Sequence, residues 1–219
     1  MLDHVFSDAI SALRDAFANA FLERQAFDEH FHSDVLLGDL VWETSYGLPG
    51  EGRPPRVIAH VTLTWPSWSQ AIYRAWYTDE IFHESPEIEM EIVFRVQRLS
   101  SQPDANLVED IAPIKSPRIG HANLDREGIT VEINHTSQSE ISNKSGKSNK
   151  SDKSNLTDAK IEYALEVTYQ GSYELAEETL QDGTNKLLDE NFGALGSWIA
   201  TTLVKLGDLK LTFLPADEI

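Results

Sequence analysis

Residues 161–175 read IEYALEVTYQGSYEL. Ile161, Tyr163, Leu165, Val167, Tyr169, Tyr173 and Leu175 fall on one parity, and Glu162, Glu166, Thr168, Gln170, Ser172 and Glu174 on the other. Alternation of this kind belongs to a strand with one face in a core and the other in water. The polar parity carries no catalytic set, so this strand lays down a surface rather than presenting a reactive group.

The same pattern recurs upstream. In EIEMEIVFRVQRL (87–99), Ile88, Met90, Ile92, Phe94 and Val96 oppose Glu87, Glu89, Glu91, Arg95 and Gln97. Val57, Ala59, Val61, Leu63 and Trp65 form another alternating run, stopped by Pro66. Leu36, Leu40, Trp42 and Tyr46 outline a run in 35–46, and ITVEI (129–133) is a short strand signal. Between them, 47–55 is rich in Gly and Pro and reads as a hairpin loop. Residues 67–80 fit either a strand covered on both sides or a short helix, and 100–127 read as a long loop.

Helical periodicity brackets these strands. Phe6, Ile10, Leu13, Phe17 and Phe21 make one stripe near the N-terminus, with Asp3 and Asp8 where the helix dipole favours acid. Residues 176–207 read as helical, with Phe192, Leu195, Ile199, Leu203 and Leu206 on one face and Gly207 as C-cap. LKLTFLP (209–215) is a closing extended segment. The chain is expected to form a single α+β domain over 1–219, an antiparallel sheet with an N-terminal helix and C-terminal helices packed on it. Residues 136–157 stand apart. Their Ser-x-Lys triplets set Lys144, Lys147, Lys150 and Lys153 in phase without the apolar content that ordering requires, so they are expected to be a disordered insert.

Composition narrows the functions. Lys and Arg number 18 against 36 Asp and Glu, for a net charge of −18. Phosphate backbones are bound mainly through Lys and Arg, so direct nucleic-acid binding is not expected; a strongly solvated surface accounts for the charge, with a basic protein partner or nucleic-acid mimicry left open. There are no cysteines, which excludes disulfides, thiolate metal sites and thiol nucleophiles. The N-terminus lacks the basic region of a signal peptide, and no apolar run reaches the ~18 residues of a membrane span. A cytoplasmic protein without membrane contact is the expectation. Asn134, Asn143, Asn149 and Asn155 match the N-glycosylation pattern, which without a secretory signal is a product of Ser/Asn-rich composition.

No P-loop, dinucleotide fingerprint, nucleophile elbow or HExxH motif occurs, and neither an enzyme activity nor a cofactor is expected. Two polar clusters remain. In FDEHFHSD (27–34), Asp28, His30, His32 and Asp34 share a parity, and His30 with His32 makes a workable pair of metal ligands if a third comes from elsewhere. Glu87, Glu89 and Glu91 form a carboxylate row, suited to a cation or to a solvated outer sheet face. Four of the tryptophans, Trp42, Trp65, Trp68 and Trp76, crowd one region, more than a small core needs, and suggest an apolar contact groove.

The C-terminal part adds a family likeness. YALEVTYQGSYEL with Gly171, Tyr173 and Leu175, a helix entered through Asn191–Phe192, and a closing segment with Leu211, Phe213 and Pro215 resemble the C-terminal half of the SecB-type export chaperones. The family's Pro-Tyr-x-Arg helix signature is replaced here by Gly196-Ser197-Trp198-Ile199-Ala200. The resemblance implies a SecB-like fold, assembly into homo-oligomers, and holding of non-native polypeptides on apolar grooves without catalysis. Trp42, Trp65, Trp68, Trp76, Tyr163, Tyr169 and Tyr173 are then the expected client-binding residues. An acidic adaptor or nucleic-acid mimic that captures a basic partner is the first alternative, and a metal-dependent enzyme using His30 and His32 the second.

Overall fold

The computed structural model describes residues 2–21, 30–36, 38–48, 55–76, 84–104, 107, 111, 119, 123–136, 160–175 and 186–215. The elements run α1 (Leu2–Phe21), β1 (His30–Leu36), β2 (Asp39–Gly47), β3 (Val57–Trp65), α2 (Ser67–Trp76), β4 (Glu87–Leu99), β5 (Asn123–Thr136), β6 (Lys160–Glu174) and α3 (Lys186–Gly207). The six strands form one antiparallel sheet in the order β1-β2-β3-β4-β6-β5. The expected α+β class therefore holds. The expected insert lies outside the described residues, apart from Thr136 at the end of β5.

The sheet has one covered face. Val57, Ala59, Val61, Leu63 and Trp65 of β3 are buried together with Ile88, Met90, Ile92, Phe94 and Val96 of β4 and Leu165, Val167, Tyr169 and Tyr173 of β6. Helices α1 and α3 lie against each other across them. Phe6 of α1 meets Trp65, and Phe17 stacks on Tyr46 at 3.8 Å, so α1 covers β2 and β3. Trp198 of α3 stands edge-on to Phe94 and Tyr169 at 5.3 and 5.0 Å, and Phe192 meets Tyr173, so α3 covers β4 and β6. Asn191 donates to the Tyr173 hydroxyl (2.9 Å), giving the buried phenol a partner at the start of that contact.

The helices approach each other closely because α3 presents Gly196 to α1. A Cβ at that position would stand 2.4 Å from the Leu13 carbonyl oxygen. Two helices packed about 8–10 Å apart cover roughly 20 Å of sheet, or about four strands at the ~4.8 Å spacing of a ladder. Six strands exceed that width, so the shelter runs out along β5: Leu124 near its start is buried, and Val131 and Ile133 further along are not. On β5 and its neighbour this shows directly: Val131 is 37% exposed, Ile133 50% and Ile161 41%, all with the parity of the core side.

Two local readings are corrected and one left open is decided. The run at 35–46 is a hairpin, not one strand, because Gly38 turns the chain at φ 90° and Leu36 pairs with Asp39. Residues 67–76 are helical. Asp39 accepts a hydrogen bond from the Ser67 N–H (2.6 Å) at the helix start, and the Gln70 amide donates to the carbonyls of Gly38 (3.0 Å) and Trp65 (2.8 Å). The strand expected at 129–133 spans 123–136, since β6 offers a partner along that whole length. The register slips between Arg126 and Gly128, which leaves Glu127 as an extra residue on the β5 side.

The C-terminal segment closes the fold at the end of β4. Arg98 adopts φ 63°, outside the strand region, where the pairing of β4 with β6 shifts between Val96 and Leu99. Its N–H is held by Glu162 (3.0 Å), its carbonyl accepts from Leu214 (2.7 Å), and its guanidinium donates to the Leu214 carbonyl (3.0 Å). Leu99 bridges to Phe213, over whose ring Arg56 sits at 4.7 Å. The closing apolar segment is thus stitched to β4.

Candidate functional site: the open acidic face

The sheet face opposite the helices carries the polar parity of every central strand. Register, which cannot be seen in any one segment, assembles it into rows. Thr62 of β3 pairs with Glu91 of β4, Glu91 with Gln170 of β6, and Gln170 with Asp125 of β5. The adjacent row runs Thr64, Glu89, Ser172, Asn123. Glu87 lies opposite Glu174, a like-charge cross-strand pair that a sheet built for stability alone avoids.

These rows border an open trough of about 550 Å³ lined by Thr62, Thr64, Glu87, Glu89, Met90, Glu91, Asp125, Glu127, Gln170, Gly171 and Ser172. Its carboxylates come from β4 and from the bulged part of β5. The β4 end of it is fixed from α2. The Ser69 hydroxyl accepts from the Glu87 N–H and donates to the Glu87 carbonyl, each at 2.7 Å, and takes a third bond from the Trp65 indole (3.0 Å). On the trough floor the Gln170 amide donates to Glu91 (2.6 Å).

The electrostatics are one-sided. Glu89 has its pKa pushed up, chiefly by partial burial among the strands, then by the negative charges of Glu87 and Asp39. Arg95 lies four residues beyond Glu91, about 13 Å along the strand, and bridges Glu132 (2.9 Å) and Glu166. Those two acceptors hold the guanidinium more firmly protonated than usual, against the opposing effect of its burial. Arg95 therefore neutralises its own neighbours rather than the trough.

On the β2–β3 side of this face, Ser45 and His60 are cross-strand partners with Oγ and Nδ1 2.7 Å apart. Partial burial and the nearby Arg95 push the His60 pKa down, with Glu166 opposing. A hydroxyl beside a neutral imidazole is the beginning of a nucleophile–base pair. Oxyanion stabilisation needs donors aimed at the reacting atom, however, and the strand N–H groups around this pair are occupied in the ladder.

The sequence-derived candidates divide cleanly. Trp42, Trp65, Tyr169 and Tyr173 are buried under the helices. They are core, not the walls of an open groove, because the aromatic side of the sheet is the covered side. Trp76 and Tyr163 are half-buried, and Trp68 is 44% exposed on α2. His30 and His32 lie in β1 opposite Ser45 and Glu43, and their side chains fall outside the described residues, as does Asp28. Among the described residues no three His, Asp or Glu side chains converge as a metal ion requires. Nor is any helix there long and apolar enough to cross a membrane.

The carboxylate row on β4 was visible in the sequence. Asp125, Glu127, Thr62, Thr64, Gln170 and Ser172 were not, because only non-local pairing brings them beside it. Comparison with family models, with curated proteins and with solved structures finds no match.

Proposed function

We propose that this chain is a non-catalytic polypeptide-binding module that takes a basic, extended segment of a partner protein on its open sheet face. The observation that carries the reading is the trough itself: an uncovered surface on which Glu87, Glu89, Glu91, Asp125 and Glu127 stand together while Arg95 is committed elsewhere. Carboxylates spaced along a strand match Lys or Arg side chains on alternate residues of an extended peptide, and the Thr, Gln and Ser between them supply backbone partners. The net charge of −18 steers such a partner in and rejects nucleic acid.

Fluorescence anisotropy of a labelled lysine-rich peptide, titrated with the protein over a salt series, tests this. Binding is expected to weaken steeply with salt, since exposed charges are screened beyond ~8–10 Å at physiological ionic strength. It is expected to drop at least tenfold in Glu89→Gln/Glu91→Gln and to be unchanged in Glu190→Gln on the exposed side of α3. Equal binding of a glutamate-rich peptide, or no loss in the double variant, would overturn it.

A second reading, a SecB-like holdase for non-native polypeptides, keeps one observation in its favour: apolar side chains at Val131, Ile133, Ile161 and Trp68 that reach solvent. Its groove is not the aromatic set expected from the sequence. Suppression of aggregation of a chemically denatured protein, persisting at high salt, supports the holdase reading. Absence of suppression by the folded protein removes it.

A further inference from the structure

We infer that β5 is a homodimer edge, pairing antiparallel with β5 of a second copy in a register centred on Val131. Strand β5 is the last in the sheet order, and among the described residues no strand lies beside its outer edge, a row of backbone groups. Proteins normally blunt such edges with bulges, prolines, lysines or inward-pointing charges. The first part of β5 obeys this rule through the bulge at Arg126–Gly128. The second part, ITVEINHT (129–136), has no proline and no lysine, and it keeps regular register with β6 throughout. Its core-side residues are Ile129, Val131 and Ile133, the last two exposed beyond the reach of α3. One half of the edge is protected and the other is left open and apolar.

The sequence of that half fits itself. A two-fold axis through Val131 sets Val131 against Val131 of the second copy, Ile129 against Ile133, Thr130 against Glu132, and Gly128 against Asn134. Apolar meets apolar on the helix side, and no carboxylate opposes a carboxylate. Moving the axis one residue either way breaks the match. Centred on Thr130, Ile133 faces Glu127; centred on Glu132, two glutamates face each other, at the cost expected for like charges in direct cross-strand contact. Glu132 is also drawn to Arg95 on the open face, which leaves the apolar side of the edge clear. Two copies joined this way continue the sheet, with ladder bonds satisfied on both edges and Val131, Ile133 and Ile161 removed from water.

The oligomeric state and the register are tested together on the full chain. Sedimentation equilibrium is expected to give twice the 24.6 kDa chain mass for the native protein. Val131→Lys and Ile133→Lys, each at an exposed position, are expected to give monomers with unchanged circular dichroism and a melting temperature that no longer rises with protein concentration, as the native dimer's does. Because the chain has no cysteine, a single introduced thiol reports the register. Val131→Cys places two thiols across one rung, with Cβ atoms about 4.5–5.5 Å apart, and is expected to form a covalent dimer under mild oxidant. Ile129→Cys places them about 13 Å apart along the strands and is expected not to. A native protein that stays monomeric at its highest workable concentration overturns the inference. So does a dimer that survives both lysine substitutions, and so does cross-linking of Ile129→Cys as readily as of Val131→Cys.

Discussion

On the helix side of β4, Phe94 meets Tyr169 and Trp198 edge-on and is sealed from water. One residue further on, on the other side, Arg95 reaches across to Glu166 and Glu132. The same backbone thus carries two surfaces held by different forces. The covered face is set by volume: large apolar side chains fill the space under two helices at crystal-like density, and each depends on its neighbours. The open face is set by charge and register, and its neighbours are replaceable. Substitutions on the covered face report on folding, whereas substitutions on the open face report on what the sheet meets.

Phe94→Ala is expected to have the largest effect. It removes a fully buried ring and two edge contacts, and is expected to cost about 3–5 kcal/mol, read from a denaturant midpoint. The same truncation one residue later, Arg95→Ala, should cost far less. If the two costs are equal, the faces are not built differently. Gly196→Ala comes next. The new methyl would meet the Leu13 carbonyl of α1 at 2.4 Å, a backbone atom that cannot swing aside. The helices must separate, at about 1–3 kcal/mol as for other overpacked cores. Gly193→Ala, whose Cβ would lie 3.8 Å from the Ala16 side chain, is the matched control and should be nearly silent in the same melt.

The sequence made the covered face legible, because alternation in Glu87–Leu99 and Ile161–Leu175 and the stripe from Phe6 to Phe17 are local signals with a fixed period. What it could not convey was which apolar face would be left over. Trp42 and Trp65 read as part of a surplus, and the family likeness added Tyr169 and Tyr173 as client contacts, until two helices are laid across four strands and consume all four. Of the expected aromatics, Trp68 alone is exposed, and the apolar residues that reach water together are the aliphatic Val131, Ile133 and Ile161, unremarkable in composition and conspicuous only by their place near the sheet edge. The trough was half legible for the same reason. Glu87, Glu89 and Glu91 sit within one strand, but Asp125 and Glu127 lie in a segment with no strand signal of its own, organised by pairing with β6. The helix at 67–76 was undecided because Trp68, Ile72 and Trp76 satisfy both periods, and the deciding contacts come from Asp39 and Gly38.

On the open face, Arg95→Met tests whether charge organises it. The methionine keeps much of the stem's packing and removes the guanidinium, leaving Glu132 and Glu166 as neighbours without their shared cation. Both carboxylates are partly solvated, so the loss is expected to be about 1 kcal/mol rather than the several that a fully buried pair commands. Raising the salt should shrink the difference between the native and variant proteins. A loss that is insensitive to salt would assign Arg95 to packing.

The smallest effect has the opposite sign. Glu89 is held above its ordinary carboxyl pKa by burial and by Glu87 and Asp39, so the folded protein binds its proton more tightly than the unfolded chain does. Stability contributed through Glu89 therefore falls as pH rises from the unfolded carboxyl value through the raised folded one, and the full penalty is present at neutral pH. Glu89→Gln removes it. The variant is expected to melt slightly higher than the native protein at pH 7, by no more than the ~0.5 kcal/mol typical of surface substitutions, and to match it at a pH below both pKa values. The same change is expected to weaken the lysine-rich peptide. A residue whose removal helps the fold and harms the binding belongs to the surface's partner rather than to the sheet, and Glu89 is the position where the two measurements should part most clearly. If Glu89→Gln lowers the melting temperature at pH 7, the trough is a structural feature of the sheet, and the distinction between its two faces fails at its most acidic point.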